Sequence, residues 1–277
     1  MKIMTDTSTL YSHKEGEALG LEILSLSVTI NNKTYKEFEE IQPEEFIEII
    51  EQGHMPVSSQ PSIGETIEVL EKYEGEDVII LNMADGLSGT YQSTVSARNS
   101  IDGNEHMHVI NTKTLCGPHR YLVNLALSLK DKGCSTEEII DIIYQKMEFT
   151  KSFLIPIDFK FLQKGGRLSP LAAKIGGMLK IIPVLELTKD GRSLDKYTIK
   201  KTEKGALKSI IKCFKEMGVN EKCLISVTHA GVPAKAAYYK EILQDSFPDT
   251  EIEIIELSPV FITHGGPGCI AIQMIGK

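Results

Sequence analysis

The chain has 277 residues, near the upper edge of what one hydrophobic core supports, so one large domain or two modest ones are expected. An apolar fraction of 42% and a charged fraction of 25% are those of a globular protein and exclude a disordered or collagen-like polymer. Its 30 Lys and Arg against 38 Asp and Glu leave a net charge of −8, which repels phosphate backbones and anionic lipid and argues against nucleic acid as a partner.

The opening Met1-Lys2-Ile3-Met4-Thr5-Asp6 places an acid where a secretory signal needs its apolar stretch, and no apolar window is long enough to span a bilayer. Cys116, Cys134, Cys213, Cys223 and Cys269 stand singly, with no Cys-x-x-Cys pair, so neither a zinc site nor a disulfide framework is indicated. A reduced, cytoplasmic protein without a stable membrane anchor is expected.

In chain order, Met1–Thr5 reads as a short strand ending in Asp6-Thr7-Ser8. Ile23–Ile30 alternates and ends at the turn signal Asn31-Asn32, so a hairpin leaving the main sheet is expected here. Pro43 opens a helix with Phe46, Ile47 and Ile50 on one face. Ser62 and Glu65 have capping-box spacing ahead of the next helix. Val78–Met83 is a near-continuous apolar run, as a buried parallel strand requires, and a helix follows Asp85-Gly86-Leu87-Ser88-Gly89. Met107–Asn111 is the next strand, Pro118–Leu129 a helix, and Ser135 with Glu138 caps another up to Phe149. This alternation predicts a doubly wound parallel sheet over residues 1–150.

The rhythm then changes. Phe153–Ile157 is apolar, Lys164-Gly165-Gly166-Arg167 is a glycine-rich turn, and Ile181–Leu187 and Ser193–Thr198 flank the hairpin signal Asp190-Gly191. Strands at Cys223–Thr228 and Ile252–Leu257 bracket a helix around Lys235–Leu243, and Cys269–Ile275 closes the chain after His264-Gly265-Gly266-Pro267-Gly268. A mixed sheet, and with it a second domain over residues 151–277, is expected. The fold class is α/β.

Four groups could carry chemistry. Ser58, in Ser58-Ser59-Gln60-Pro61-Ser62, and Ser88, in Ser88-Gly89-Thr90-Tyr91, both precede helices, whose unpaired N–H groups favour an anion; a serine there is also a favoured cap in its own right. Arg167 follows paired glycines that let backbone approach a ligand, and its planar fork suits a carboxylate or phosphate; the plainer reading is a solvated surface turn. His264 stands at the head of a Gly/Pro-rich loop that could present its imidazole to a pocket, or could serve structure alone. No Walker loop or dinucleotide fingerprint is present, and no spaced carboxylate cluster suggests a metal. A serine hydrolase built on Ser88 and His264 is the alternative, but Thr90 stands where a nucleophile elbow has its last glycine.

Thr5-Asp6-Thr7-Ser8, Ser58-Ser59-Gln60-Pro61-Ser62, Ser88-Gly89-Thr90-Tyr91-Gln92-Ser93, Leu162-Gln163-Lys164-Gly165-Gly166-Arg167-Leu168 and His264-Gly265-Gly266-Pro267-Gly268 occur in the order of one family. In this the chain resembles the DegV family of bacterial lipid-binding proteins. The resemblance implies two α/β domains holding a long-chain fatty acid such as hexadecanoate between them, and no catalysis by the chain itself. It also implies presentation of that acid to a fatty acid kinase that makes the acyl phosphate. The family's carboxylate-binding positions fall on Ser58, Ser88, Arg167 and His264; the first motif commonly opens on threonine, and Ser58 keeps the hydroxyl. No cofactor or metal is implied. Ile181, Ile182, Val184, Leu185, Val260 and Ile262 supply aliphatic material for a tunnel or for plain core.

Overall fold

Alternating strands and helices build the first half of the computed structural model, which describes residues 1–175 and 181–277. In chain order come β1 (Lys2–Asp6), α1 (His13–Ala18), β2 (Glu22–Leu24), β3 (Ser27–Ile30), β4 (Lys33–Lys36), α2 (Pro43–Glu51) and β5 (Val57–Ser59). Next are α3 (Ile63–Glu71), β6 (Val78–Asn82), α4 (Thr90–Asn99), β7 (Met107–Asn111), α5 (Cys116–Asp131) and α6 (Thr136–Met147). The all-parallel sheet has the order β2-β1-β6-β7. Every position of β6 is buried because both faces are covered. Ile3, Ile79 and Leu81 pack with Leu122, Val123, Ile139 and Ile143 of α5 and α6, while Met4, Val78 and Ile80 pack with Leu70 of α3 and Ala97 of α4.

The segment Ile23–Ile30 is two strands, not one. Its first residues pair with β1, and then β3 leaves to form a separate antiparallel sheet of order β4-β3-β5. The break falls where the Leu26 N–H donates to the buried Thr7 hydroxyl, at 3.0 Å, instead of joining a ladder. The hairpin is where Asn31-Asn32 predicts it, both residues having left-handed φ of 49° and 60°. Ser135 and Glu138 form a reciprocal capping box. At Ser62 only half of the box forms: its hydroxyl accepts from the Glu65 N–H, while Glu65 pairs with Lys36 at 2.8 Å.

The second half contains β8 (Thr150–Ile155), α7 (Phe159–Gly165), α8 (Pro170–Ala173), β9 (Ile182–Leu187), β10 (Leu194–Lys200) and α9 (Glu203–Glu216). It ends with β11 (Cys223–His229), α10 (Pro233–Ser246), β12 (Glu251–Glu256), α11 (Pro259–Gly265) and β13 (Ile270–Gly276). The mixed sheet has the order β10-β9-β8-β13-β11-β12; among the described residues its neighbouring strands pair antiparallel except β11 with β12, which are parallel. Residues of α9 and α10, among them Ile210, Phe214, Tyr239 and Leu243, cover the face carrying Phe153, Ile225 and Ile272. The opposite face meets the N-terminal half. Leu26, Phe46 and Met83 share one core there with Leu257, Val260 and Ile262. Among the described residues, no helix is long and apolar enough to cross a membrane.

Candidate functional site

A cavity of about 370 Å³ lies between the two sheets. Its wall is mostly aliphatic and aromatic, with Leu26, Met83, Leu87, Leu154, Leu187 and Phe261 among the lining residues. Of the six tunnel candidates from the sequence, Val260 lines the cavity. Val184 and Ile262 are wholly buried core, Leu185 packs under α7 and α8, and Ile181 and Ile182 pack at cluster edges. Val184 and Leu185, neighbours on β9, face opposite sides of the sheet, and Val184 lies on the face covered by α9 and α10.

Ser58, Ser88, Arg167 and His264, spread over the chain, all border this cavity. Ser58 sits on β5, not at a helix start, because Ser62 is the residue that caps α3. Its hydroxyl shares a hydrogen bond of 2.8 Å with His264 Nε2. Ser88 precedes Gly89, the N-cap of α4, and its hydroxyl lies 2.8 Å from the Thr90 hydroxyl and accepts from the Thr90 N–H at 3.3 Å. Expectation of two anion-binding helix termini is therefore corrected: one serine is on a strand, and the other already serves the helix backbone. Gly89 has no Cβ because one would collide with the Gln60 side-chain amide, so the two serine motifs are packed against each other.

His264 and Gly265 belong to the last turn of α11, and Lys164 and Gly165 end α7, so both motifs read as loops are helix C-termini. Gly166 caps α7 with a left-handed φ of 69°, which is why glycine stands there. A Cβ on Gly165 would lie 2.5 Å from His264 Nδ1, so that glycine lets the two helices close on each other. Burial, with a further push from the Arg167 charge, lowers the His264 pKa to about 4, and the ring is neutral at neutral pH. Arg167 Nε donates to the Leu87 carbonyl at 2.9 Å, and the guanidinium also bonds the Gly165 carbonyl. Burial lowers its pKa from the usual arginine value. The arginine thus fixes the residue before Ser88 to the residue that abuts His264. A smaller pocket of about 70 Å³, bordered by Ser58, Lys164, Arg167 and His264, adjoins this end.

The arrangement offers hydroxyls, a neutral imidazole and one cation at one end of an apolar space. It does not assemble Ser88 with His264 as nucleophile and base: the imidazole pairs with Ser58, and His264 Nδ1 has no hydrogen-bond partner among the described residues. Nor does any group of three or more His, Cys, Asp or Glu among the described residues converge as metal ligands would. Sequence reasoning missed Ser152, Gln273 and Cys116, which also border the cavity. Gln273 is a single polar residue within an apolar strand, whereas Ser152 follows Thr150-Lys151 and Cys116 opens α5, and the facing of each is set by strand register or helix placement.

The family described as "Uncharacterised protein, DegV family" matches residues 1–277. A DegV domain-containing protein of Staphylococcus aureus is 31% identical over 99% of this chain and 98% of its own length. Another, of Listeria innocua, is 29% identical over 98% of this chain and 96% of its own. Among solved structures, the fatty-acid-binding DegV family protein of Streptococcus agalactiae superposes with a TM-score of 0.90 at 28% identity, covering 100% of this chain and 98% of that one. The fatty-acid-binding DegV protein of Bacillus subtilis gives 0.87 at 27%, covering 100% and 99%. With the family matched from the first residue to the last, and a parallel-sheet domain facing a mixed-sheet domain as in those structures, this chain belongs to the DegV family.

Proposed function

We propose that the chain binds one long-chain fatty acid, its carboxylate at Ser58, Ser88 and His264 with Arg167 behind them, and its acyl chain in the cavity. Residues 1–150 would supply the serine motifs and residues 151–277 the rest of the pocket. The observation that carries this reading is an apolar-walled cavity bordered by the hydrogen-bonded pair Ser58–His264, by Ser88 and by Arg167. A carboxylate is a small monoanion whose oxygens need partners when it leaves water. Hydroxyls and an imidazole supply them without the desolvation cost of a second full charge. Burying about 14 methylenes at roughly 0.8 kcal/mol each gives on the order of 11 kcal/mol before ordering costs, so the tail dominates affinity and the head group sets orientation.

The chain is a carrier, not a catalyst, and hands its acid to a fatty acid kinase by protein contact at the Arg167 end. The five unpaired cysteines support a reducing, cytoplasmic setting. Mass spectrometry of lipid released from the natively purified protein tests the reading. Stoichiometric long-chain fatty acid is expected. Turnover of acyl esters that Ser88→Ala abolishes, with no retained acid, would replace it by the hydrolase reading. Mixing the loaded protein with a fatty acid kinase and ATP tests the transfer; no acyl phosphate would leave a lipid binder without that partner.

A further inference from the structure

We propose that the hydrogen-bonded pair Ser152–Gln273 is the end stop of the acyl cavity and sets the length of the chain it accepts. The inference rests on the fatty-acid reading above. Both residues border the cavity, in a wall that is otherwise largely apolar. Strand β13 starts beside the head-group end, where Cys269 packs against Gly265, next to His264. At about 3.3 Å per residue, Gln273 lies roughly 13 Å further along than Cys269, on the same face as Ala271. Ser152 is its direct partner on β8.

Gln273 is buried, and its amide is committed. Nε2 donates to Ser152 Oγ and to the Leu115 carbonyl, each at 3.0 Å, and Oε1 accepts from the Gly117 N–H at 3.4 Å. It therefore reaches from the sheet to the first turn of α5, whose N-cap, Leu115, has no polar side chain to cap the helix itself. Helix α5 cannot move closer, because a Cβ on Gly117 would fall on the Ser226 side chain. Two residues beyond Gln273, Ile275 is already sealed among Leu122, Ile139 and Ile143. The bridge is thus a fixed wall between cavity and core, and an acyl chain that fills the space ends against it.

The test loads the intact protein with an equimolar series of saturated fatty acids from lauric to arachidic and reads the bound species by native mass spectrometry. Wild type should show an upper length limit. Gln273→Ala removes the wall and should move that limit up by about two methylenes, with an approximately tenfold gain for the longer acid. Gln273→Leu refills the space and should restore the wild-type limit. Ser152→Leu, which leaves the cap of α5 in place, should move the limit down by a similar step. An unchanged length distribution in folded, loaded Gln273→Ala, or in Ser152→Leu if the former does not fold, would overturn the assignment. A wild type that takes none of the series would overturn the fatty-acid reading itself, and the end stop with it.

Discussion

Replacing Glu37 by glutamine should remove a pH dependence from the folding stability of this protein. Glu37 follows β4 and is fully buried where the N-terminal half meets α11. The Thr7 hydroxyl donates to one carboxyl oxygen and the Val260 N–H to the other, the latter at 3.0 Å. Burial nevertheless raises the Glu37 pKa from 4.5 to about 7, with Asp6 pushing in the same direction. Between those two values the native protein keeps a proton that the unfolded chain has lost, so stability falls as pH rises. The loss across the window is on the order of 3 kcal/mol. His119, His229 and His264 act oppositely: burial lowers their pKa values, so their contribution is present above the ordinary histidine pKa and fades as pH falls. They are common to both proteins and cancel in a difference. Urea unfolding of wild type and Glu37→Gln, near pH 5 and again near pH 8, isolates the carboxyl. The advantage of wild type over the variant should shrink by roughly 3 kcal/mol at the higher pH. An advantage that is the same at both pH values would refute the buried, protonated carboxyl. Because Val260 borders the cavity and α11 carries His264, the same ionisation should loosen the site.

Ser88→Ala should weaken fatty acid binding by about three- to tenfold, the worth of one neutral hydrogen bond, as titration calorimetry with palmitate would show; loss of all binding would mean the head group outweighs the tail. Arg167→Ala should slow acyl phosphate formation by a kinase at least as much as it weakens binding, which single-turnover transfer set beside equilibrium binding measures. Gly165→Ala puts a methyl against His264 Nδ1 and should cost about 1–3 kcal/mol in thermal or urea unfolding while lowering affinity, since the imidazole must leave Ser58.

The parallel sheet was legible because its strands are buried on both faces and its helices carry caps. Val78–Met83 and the Ser135–Glu138 box announce themselves locally, and the structure places β6 and α6 there. Where sequence reading failed, a long-range contact decided. From Leu24 to Ile30 the alternation is unbroken, yet β2 ends at Leu24, and the Leu26 N–H goes to the Thr7 hydroxyl instead of a ladder. The short strands β4 and β5 have little pattern of their own and exist because β3 pairs with both. Helix α9 is not among the elements expected from the sequence, although Ala206, Leu207, Ile210, Ile211 and Phe214 give it a clear buried face and the lysines between them fall on the other.

The site shows the same division between local and long-range information. Glycine-rich clusters at Gly165 and Gly265 mark where backbones come close, and that much is readable, because a missing Cβ signals a neighbour. Which neighbour is not readable: Gly165 makes room for His264, and Gly265 for Cys269. Glu37 lies in the run Lys36-Glu37-Phe38-Glu39-Glu40, where a carboxylate looks like one more solvated charge. Only the tertiary fold turns it inward to hold the start of α11. Gln273 is likewise one polar residue in an apolar strand, and nothing near it in sequence reveals that it caps a helix more than 150 positions away. The proposed head-group end is one that motifs can point to, because binding an anion demands particular residue types. The tail end demands only shape, and shape is set by whichever residues the fold brings together. Chain-length selectivity should therefore vary among DegV proteins that share the same serine, arginine and histidine motifs.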